Sequence, residues 1–127
     1  MDLIGFKNNV VRSAAILTSS YVAGTVLDNC QGFNQMVINY DFTIGSLTDA
    51  QIKVEVSTDG TNYYELMLNG LSAGVNTVVP TVYKLSATRK GSIEPLSIAT
   101  KYIKVSAIGT GTATSSSLAI DVVLSKV

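Results

Sequence analysis

The chain has 127 residues, nine basic and nine acidic side chains, no His, no Trp and one Cys. Without His, the Ser-His-Asp and Cys-His nucleophile systems and most zinc sites are excluded, and one Cys excludes intrachain disulfides and CxxC chemistry. A formal net charge of zero provides no long-range field to gather nucleic acid.

The length corresponds to one domain, large enough to bury a core without staples. Met1-Asp2-Leu3-Ile4-Gly5-Phe6-Lys7 lacks the basic and continuous apolar regions of a secretory signal. No apolar run approaches the ~18 residues of a membrane span. The expectation is a protein made in the cytoplasm, not secreted by a signal peptide and with no membrane partner.

In chain order, residues 1–9 mix the apolar Leu3, Ile4 and Phe6 with Lys7-Asn8-Asn9. Three readings stay open for this segment: an arm that adds to a neighbouring subunit by strand pairing, a frayed terminus, or an extra edge strand. The β domain proper is expected over residues 10–127. Val10 to Thr18 and Tyr21 to Leu27 read as weak strands, the second broken by Gly24. Cys30 has no partner and reads as a small buried apolar group.

From Met36 the sequence alternates strictly. Met36, Ile38, Tyr40, Phe42 and Ile44 point one way, and Val37, Asn39, Asp41 and Thr43 the other, which is the period of a half-buried strand. Gly45 to Asp49 links this strand to Ile52-Lys53-Val54-Glu55-Val56, with a single helical turn admissible over Thr48 to Lys53. Asp59-Gly60 is a strong hairpin signal, because Gly accepts φ > 0, and Asn69-Gly70 is a second pair of that kind. Tyr63 to Leu68, Asn76 to Val79 and Thr81 to Ala87 read as further strands. Pro80 and Pro95 lack an N–H and mark strand ends or edges. Arg89-Lys90-Gly91 reads as a loop. Tyr102 to Ala107 and Leu118 to Leu124 alternate again, and the Gly/Thr/Ser stretch between them reads as a hairpin loop.

Eight or nine short strands separated by turns indicate an all-β fold, a single antiparallel sandwich of jelly-roll type. Each strand has one apolar face to bury, which implies two sheets packed face to face.

Chemistry-bearing clusters are sparse. Asp59, Asn62 and Glu65 offer oxygens, but their spacing is not that of a calcium loop and they read as a solvated turn. Glu55 and Glu65 are expected as cross-strand neighbours beside Lys53, a polar outer face rather than a glycosidase pair. No catalytic, cofactor-binding or metal site is assigned, and an enzyme is not expected. Of the adjacent Tyr63 and Tyr64, one must face outward, and Tyr21 and Tyr102 are further candidates for exposure. Tyr combines an apolar body with a polar tip and is frequent at interfaces.

Gly32-Phe33-Asn34-Gln35-Met36 leads into the first strong strand. After it come Ser57-Thr58-Asp59-Gly60-Thr61-Asn62-Tyr63, then Lys101-Tyr102-Ile103-Lys104-Val105, a Gly/Ser/Thr loop and a closing strand. This order, from Gly32 to the end, resembles small β-sandwich virion proteins of tailed bacteriophages. The resemblance implies a non-enzymatic structural role: a capsid decoration (cement) protein, or alternatively a neck, tail or fibre component. It also implies homo-oligomers, commonly trimers, and partners among identical subunits and other virion proteins. Leu3, Ile4, Phe6, Tyr63, Tyr64 and Tyr102 are the expected partner contacts. A glycan-binding module on the virion surface, recognising host-surface glycans, is the alternative from a different functional class.

Overall fold

The computed structural model describes residues 6–127, leaving aside the side chains of Phe6 and Leu71. It contains eleven strands: β1 (Phe6–Ala15), β2 (Val22–Ala23), β3 (Gln35–Thr43), β4 (Leu47–Ser57), β5 (Tyr64–Glu65), β6 (Met67–Ser72), β7 (Val75–Pro80), β8 (Val82–Leu85), β9 (Arg89–Ser97), β10 (Tyr102–Gly111) and β11 (Ser117–Ser125). The helical segment among the described residues is one 3-10 turn at Cys30–Gly32.

One sheet has the order β1-β11-β3-β9. The other runs β2-β10-β4, and the outer edge of β4 is shared by β5 and β8. All pairings are antiparallel. Consecutive strands of the sandwich change sheets at β1–β2, β2–β3, β3–β4, β8–β9, β9–β10 and β10–β11. Eight strands wound alternately between two four-stranded layers form a jelly roll, the architecture expected from the alternation. The eight are β1 to β4 and β8 to β11; β5, β6 and β7 lie in an insertion between β4 and β8.

The alternation positions the core. Met36, Ile38 and Phe42 of β3 face Leu118, Ile120, Val122 and Leu124 of β11 within one layer, and all seven are at most 1% exposed. Ile52 and Val54 of β4 and Ile103, Val105 and Ala107 of β10 line the opposing layer. Each of these side chains other than Ala107 contributes roughly 1.5–3 kcal/mol by leaving water. Cys30 is fully buried in the same core, as an apolar group. Arg12 closes the bulged end of β1: its Nε donates to Leu118 O (2.9 Å) and its Nη2 donates to Ile16 O (3.0 Å).

Five local expectations are corrected. Thr48 to Lys53 is not a helical turn but part of β4, held in register by β10 on one side and β8 on the other. Asn69-Gly70 is inside β6 opposite Val78 and Thr77. The reversal falls at Ala73-Gly74, both at positive φ (51° and 77°), as a two-residue turn of the primed type requires. Arg89-Lys90-Gly91 is not a loop but the start of β9. Pro95 lies in that strand, at a register shift between Met36 and Ile38 of β3, and β9 is an edge, where a missing N–H is tolerated. The Gly/Thr/Ser stretch after Gly109 does not close a hairpin, because β10 and β11 belong to different sheets; it carries the chain from one layer to the other. Of Tyr21 to Leu27, only Val22–Ala23 and an isolated bridge from Leu27 to Ile103 pair with β10.

Candidate interaction surfaces

Of the six expected contacts, Leu3 and Ile4 lie outside the described residues, as does the side chain of Phe6. The backbone of Phe6 opens β1 opposite Ser125, so residues 6–9 run on into the strand that edges the first sheet. Tyr63, Tyr64 and Tyr102 are described, and the β4–β5 turn brings Tyr63 and Tyr102 to the same end of the second sheet.

That turn is built from its own side chains. Asp59 Oδ1 accepts from the N–H groups of Thr61 and Asn62 (both 2.8 Å) and from Ser57 Oγ (3.0 Å), and Oδ2 accepts from Asn62 Nδ2 (2.8 Å). Ser57 Oγ accepts from the N–H of Gly60 (2.9 Å). The Asn62 and Thr61 N–H groups hold the Asp59 carboxyl well below the usual carboxylate range, since they favour its charged form. Both oxygens of Asp59 are engaged in ordering the turn, as the solvated-turn reading anticipates, and no group of three or more His, Cys, Asp or Glu that could hold a metal occurs among the described residues. Gly60 sits at φ +77°, and a Cβ there would lie 3.1 Å from Tyr102 Cζ. The bare backbone of the turn is thus the surface on which the Tyr102 ring rests. Thr100 Oγ1 donates to Ser57 O (2.8 Å) and ties the turn to the strand that carries Tyr102.

The outer face of this sheet alternates aromatic rings with ammonium groups. Lys104 Nζ lies 4.1 Å from the centre of the Tyr63 ring, Lys53 Nζ 4.3 Å from that of Tyr21 and Lys101 Nζ 5.5 Å from that of Tyr102. These are cation–π distances. Tyr21 donates to Gln51 Oε1 (3.2 Å); burial, and then the charge of Glu65, push its hydroxyl pKa up. Glu55 stands directly opposite Glu65 on one side and Lys104 on the other, and Lys53 Nζ is 3.7 Å from Glu55 Oε1. The two carboxylates are the cross-strand neighbours expected. They lie on the open outer face of a sheet, with cations compensating their repulsion. Tyr64 is 68% exposed and projects from the β5 edge.

Sequence reasoning missed a second surface. Strands β6 and β7 pair with each other and with no strand of the sandwich. Every residue of β7 is exposed, and Met67, Leu68, Val75, Val78 and Val79 are large apolar side chains left in water. Cross-strand pairing sets Leu68 with Val79 and Ser72 with Val75 on one face, and Met67 with Pro80 and Asn69 with Val78 on the other. Both faces of the ribbon therefore carry apolar groups. At its base, Leu68 joins Tyr83, Ile93, Glu94, Pro95 and Leu96 around a groove of about 440 Å³. The available signal was the run Val75-Asn76-Thr77-Val78-Val79, which lacks the polar alternation of a strand with one wet face.

A second concavity, about 490 Å³, lies on the outer face of the first sheet, lined by Tyr40 and Ala119 as well as by Asn39, Asp41, Lys90 and Asp121. It is open, and Lys90 Nζ stands 3.9 Å from Asp41 Oδ2 beside it.

Comparison with known proteins finds no matching family model and no matching curated sequence. Solved structures share the fold. The SPBc2 prophage-derived protein YomS superposes with a TM-score of 0.60 at 13% identity, over 99% of this chain and 97% of that one. The PBSX exported protein XepA gives 0.59 at 8% identity over 94% of this chain. A chain from the structure of infectious bursal disease virus, Gx strain, gives 0.54 at 9% identity over 98% of this chain. This chain spans 37% of XepA and 32% of the bursal disease virus chain. At these identities the likeness is one of fold: the chain is a jelly-roll domain of a kind found in prophage-derived and viral proteins.

Proposed function

We propose that this chain is a non-enzymatic structural component of a tailed-phage virion, and specifically a capsid decoration protein. The observation that carries the reading is the jelly roll itself, similar over nearly its whole length to a prophage-derived protein of the same size and joined to apolar surface that a solitary domain has no use for. The mechanism is adhesive. A preformed sandwich that binds the assembled shell and not its dissociated subunits stabilises the shell by mass action. Rigid aromatic groups such as Tyr64 supply anchors, and binding through shape and apolar contact is insensitive to moderate salt.

The test is the protein content of particles purified by density gradient from a culture carrying the gene. Decoration predicts many copies per particle, retained in moderate NaCl, and particles that lose heat resistance when the gene is deleted. A few copies per particle assign the chain to the neck, tail or fibre instead. Its absence from purified particles overturns the virion reading.

The glycan-binding alternative needs bare ring faces on which a sugar can stack. Lysines stand over Tyr21 and Tyr63, which leaves Tyr64 as the best-placed platform. A glycan array with no Tyr64-dependent signal eliminates that alternative.

A further inference from the structure

We propose that the β6–β7 ribbon is a self-association element, and that β7 of one copy pairs antiparallel with β7 of a second copy across a two-fold axis. This inference goes beyond the virion reading and stands or falls separately from it. Its starting point is the contrast between the β6–β7 ribbon and the strand edges of the sandwich. An edge strand exposes unpaired N–H and C=O groups and invites pairing unless something blocks it. The edge strand β9 carries Glu94 and Pro95 at a register shift and Arg89 and Lys90 at its start. β2 is two residues long. β8 is four residues long and holds Lys84. β1 has two register shifts, and its Val11 carbonyl is taken by the N–H of Thr25.

β7 has none of these devices, and unlike β6, the ribbon's other edge, which has no β-branched residue and holds Gly70, it is strongly strand-forming. It is six residues long with an unshifted register, four of the six are β-branched (Val75, Thr77, Val78 and Val79), and its Pro is the last residue, at the base. An isolated two-stranded ribbon is marginal in water, whereas four strands with apolar faces are not. Pairing of β7 with β7 produces the order β6-β7-β7-β6 and removes the deficiency.

The absence of charge suits a second copy as the occupant. A two-fold interface sets the same patch against itself, so any charge near the axis meets its like. From Leu66 to Tyr83 the chain has no Asp, Glu, Lys or Arg, and self-pairing there encounters no repulsion. The exposed side chains of β7 itself are apolar, with Val75, Val78 and Val79 between 49% and 70% exposed, and edge pairing brings these side chains beside those of the copy.

The experiment uses the full chain. Light scattering and sedimentation from about 1 to 100 µM should show a monomer–dimer equilibrium. Val78→Lys places a charge beside its copy and should weaken the dimer about tenfold or more. Thr77→Cys and Val78→Cys, oxidised singly and as a mixture, should cross-link in at least one of the three combinations, whichever residue lies nearest the axis. Val10→Cys, on β1 and 61% exposed, should not cross-link, and the buried Cys30 does not compete. A monomer at every concentration, a trimer, or a dimer that Val78→Lys leaves intact overturns the proposal. Val78→Cys and Thr77→Cys cross-linking no faster than Val10→Cys does so as well.

Discussion

Replacing Gly24 by Ala is expected to destabilise the protein, although a glycine outside the left-handed region ordinarily gains from the change. Gly24 lies where the two sheets close on each other. Its N–H donates to Val105 O (2.9 Å), and the next N–H, of Thr25, donates to Val11 O (2.8 Å). Gly24 is not among the residues at positive φ, so chain entropy alone predicts a gain of about 0.4–1 kcal/mol for Ala. A Cβ at this position, however, would lie 2.5 Å from Val11 Cγ1 and closer still to the Val11 carbonyl oxygen. Val11 is buried at 3% exposure, and a backbone oxygen has no rotamer by which to withdraw. Overpacking of this kind costs about 1–3 kcal/mol, and lengthening the Thr25–Val11 hydrogen bond costs about 0.5–1.5 kcal/mol more. The net expectation is a loss of about 2 kcal/mol, a large share of the ~5–15 kcal/mol of a typical domain. Urea unfolding of wild type and Gly24→Ala measures it, provided m is unchanged. Gly32→Ala is the control: nothing lies within 4 Å of its Cβ, so it should be neutral or slightly stabilising. A Gly24→Ala protein as stable as wild type would refute the close approach of β1 to the 24–27 segment.

Three further outcomes are expected. Phe42→Ala removes a fully buried ring and should cost about 3–5 kcal/mol, read as a lowered urea midpoint. Asp59→Asn should lose stability relative to wild type in a pH-dependent way. The folded carboxyl is held below its ordinary range, so its contribution is complete above the unfolded value of about 3.9 and is lost as pH falls below that toward the folded value; a gap between the two proteins that stays constant from pH 7 to pH 2 refutes the assignment. Cys30 is buried, and burial pushes its thiol pKa up. A disulfide reagent should therefore react with it slowly in the folded protein and rapidly in urea, and equal rates would contradict its placement.

The strands that were plain in the sequence are those with one wet face and one dry face. Met36 to Ile44, Ile52 to Val56, Tyr102 to Ala107 and Leu118 to Leu124 alternate, and the structure buries most of the apolar set of each, with Tyr40, Ile44 and Val56 half-buried against the core. The hairpin at Asp59-Gly60 was equally plain, since its Asx hydrogen bonds span only three residues. β9 was hidden because its sequence, Arg-Lys-Gly-Ser-Ile-Glu-Pro-Leu-Ser, is that of a protected edge, with charge, Gly and Pro where an inner strand has Val or Ile. The turn at Ala73-Gly74 was misplaced to Asn69-Gly70, the better turn dipeptide by composition, because the register of β6 on β7 outweighs one dipeptide preference. Of the candidate surfaces, Tyr63 and Tyr102 were named from residue type alone, whereas Lys104, which stands over the Tyr63 ring from a distant strand, was not legible.

What the amino-acid sequence determines by itself is local: side-chain alternation with period two, turns closed by their own Asp, Ser and Gly atoms, and a composition without His or a second Cys. These follow from interactions within a few residues and survive in any arrangement of the strands. Strand order, the division of β10 and β11 between two layers, the close approach of Gly24 to Val11 and the exposure of both faces of β6–β7 are decided only when distant segments meet. An apolar valine has the same chemistry in the core at position 54 and in solvent at position 78. Which of the two it becomes depends on whether another layer lies above it, and that is a property of the tertiary structure.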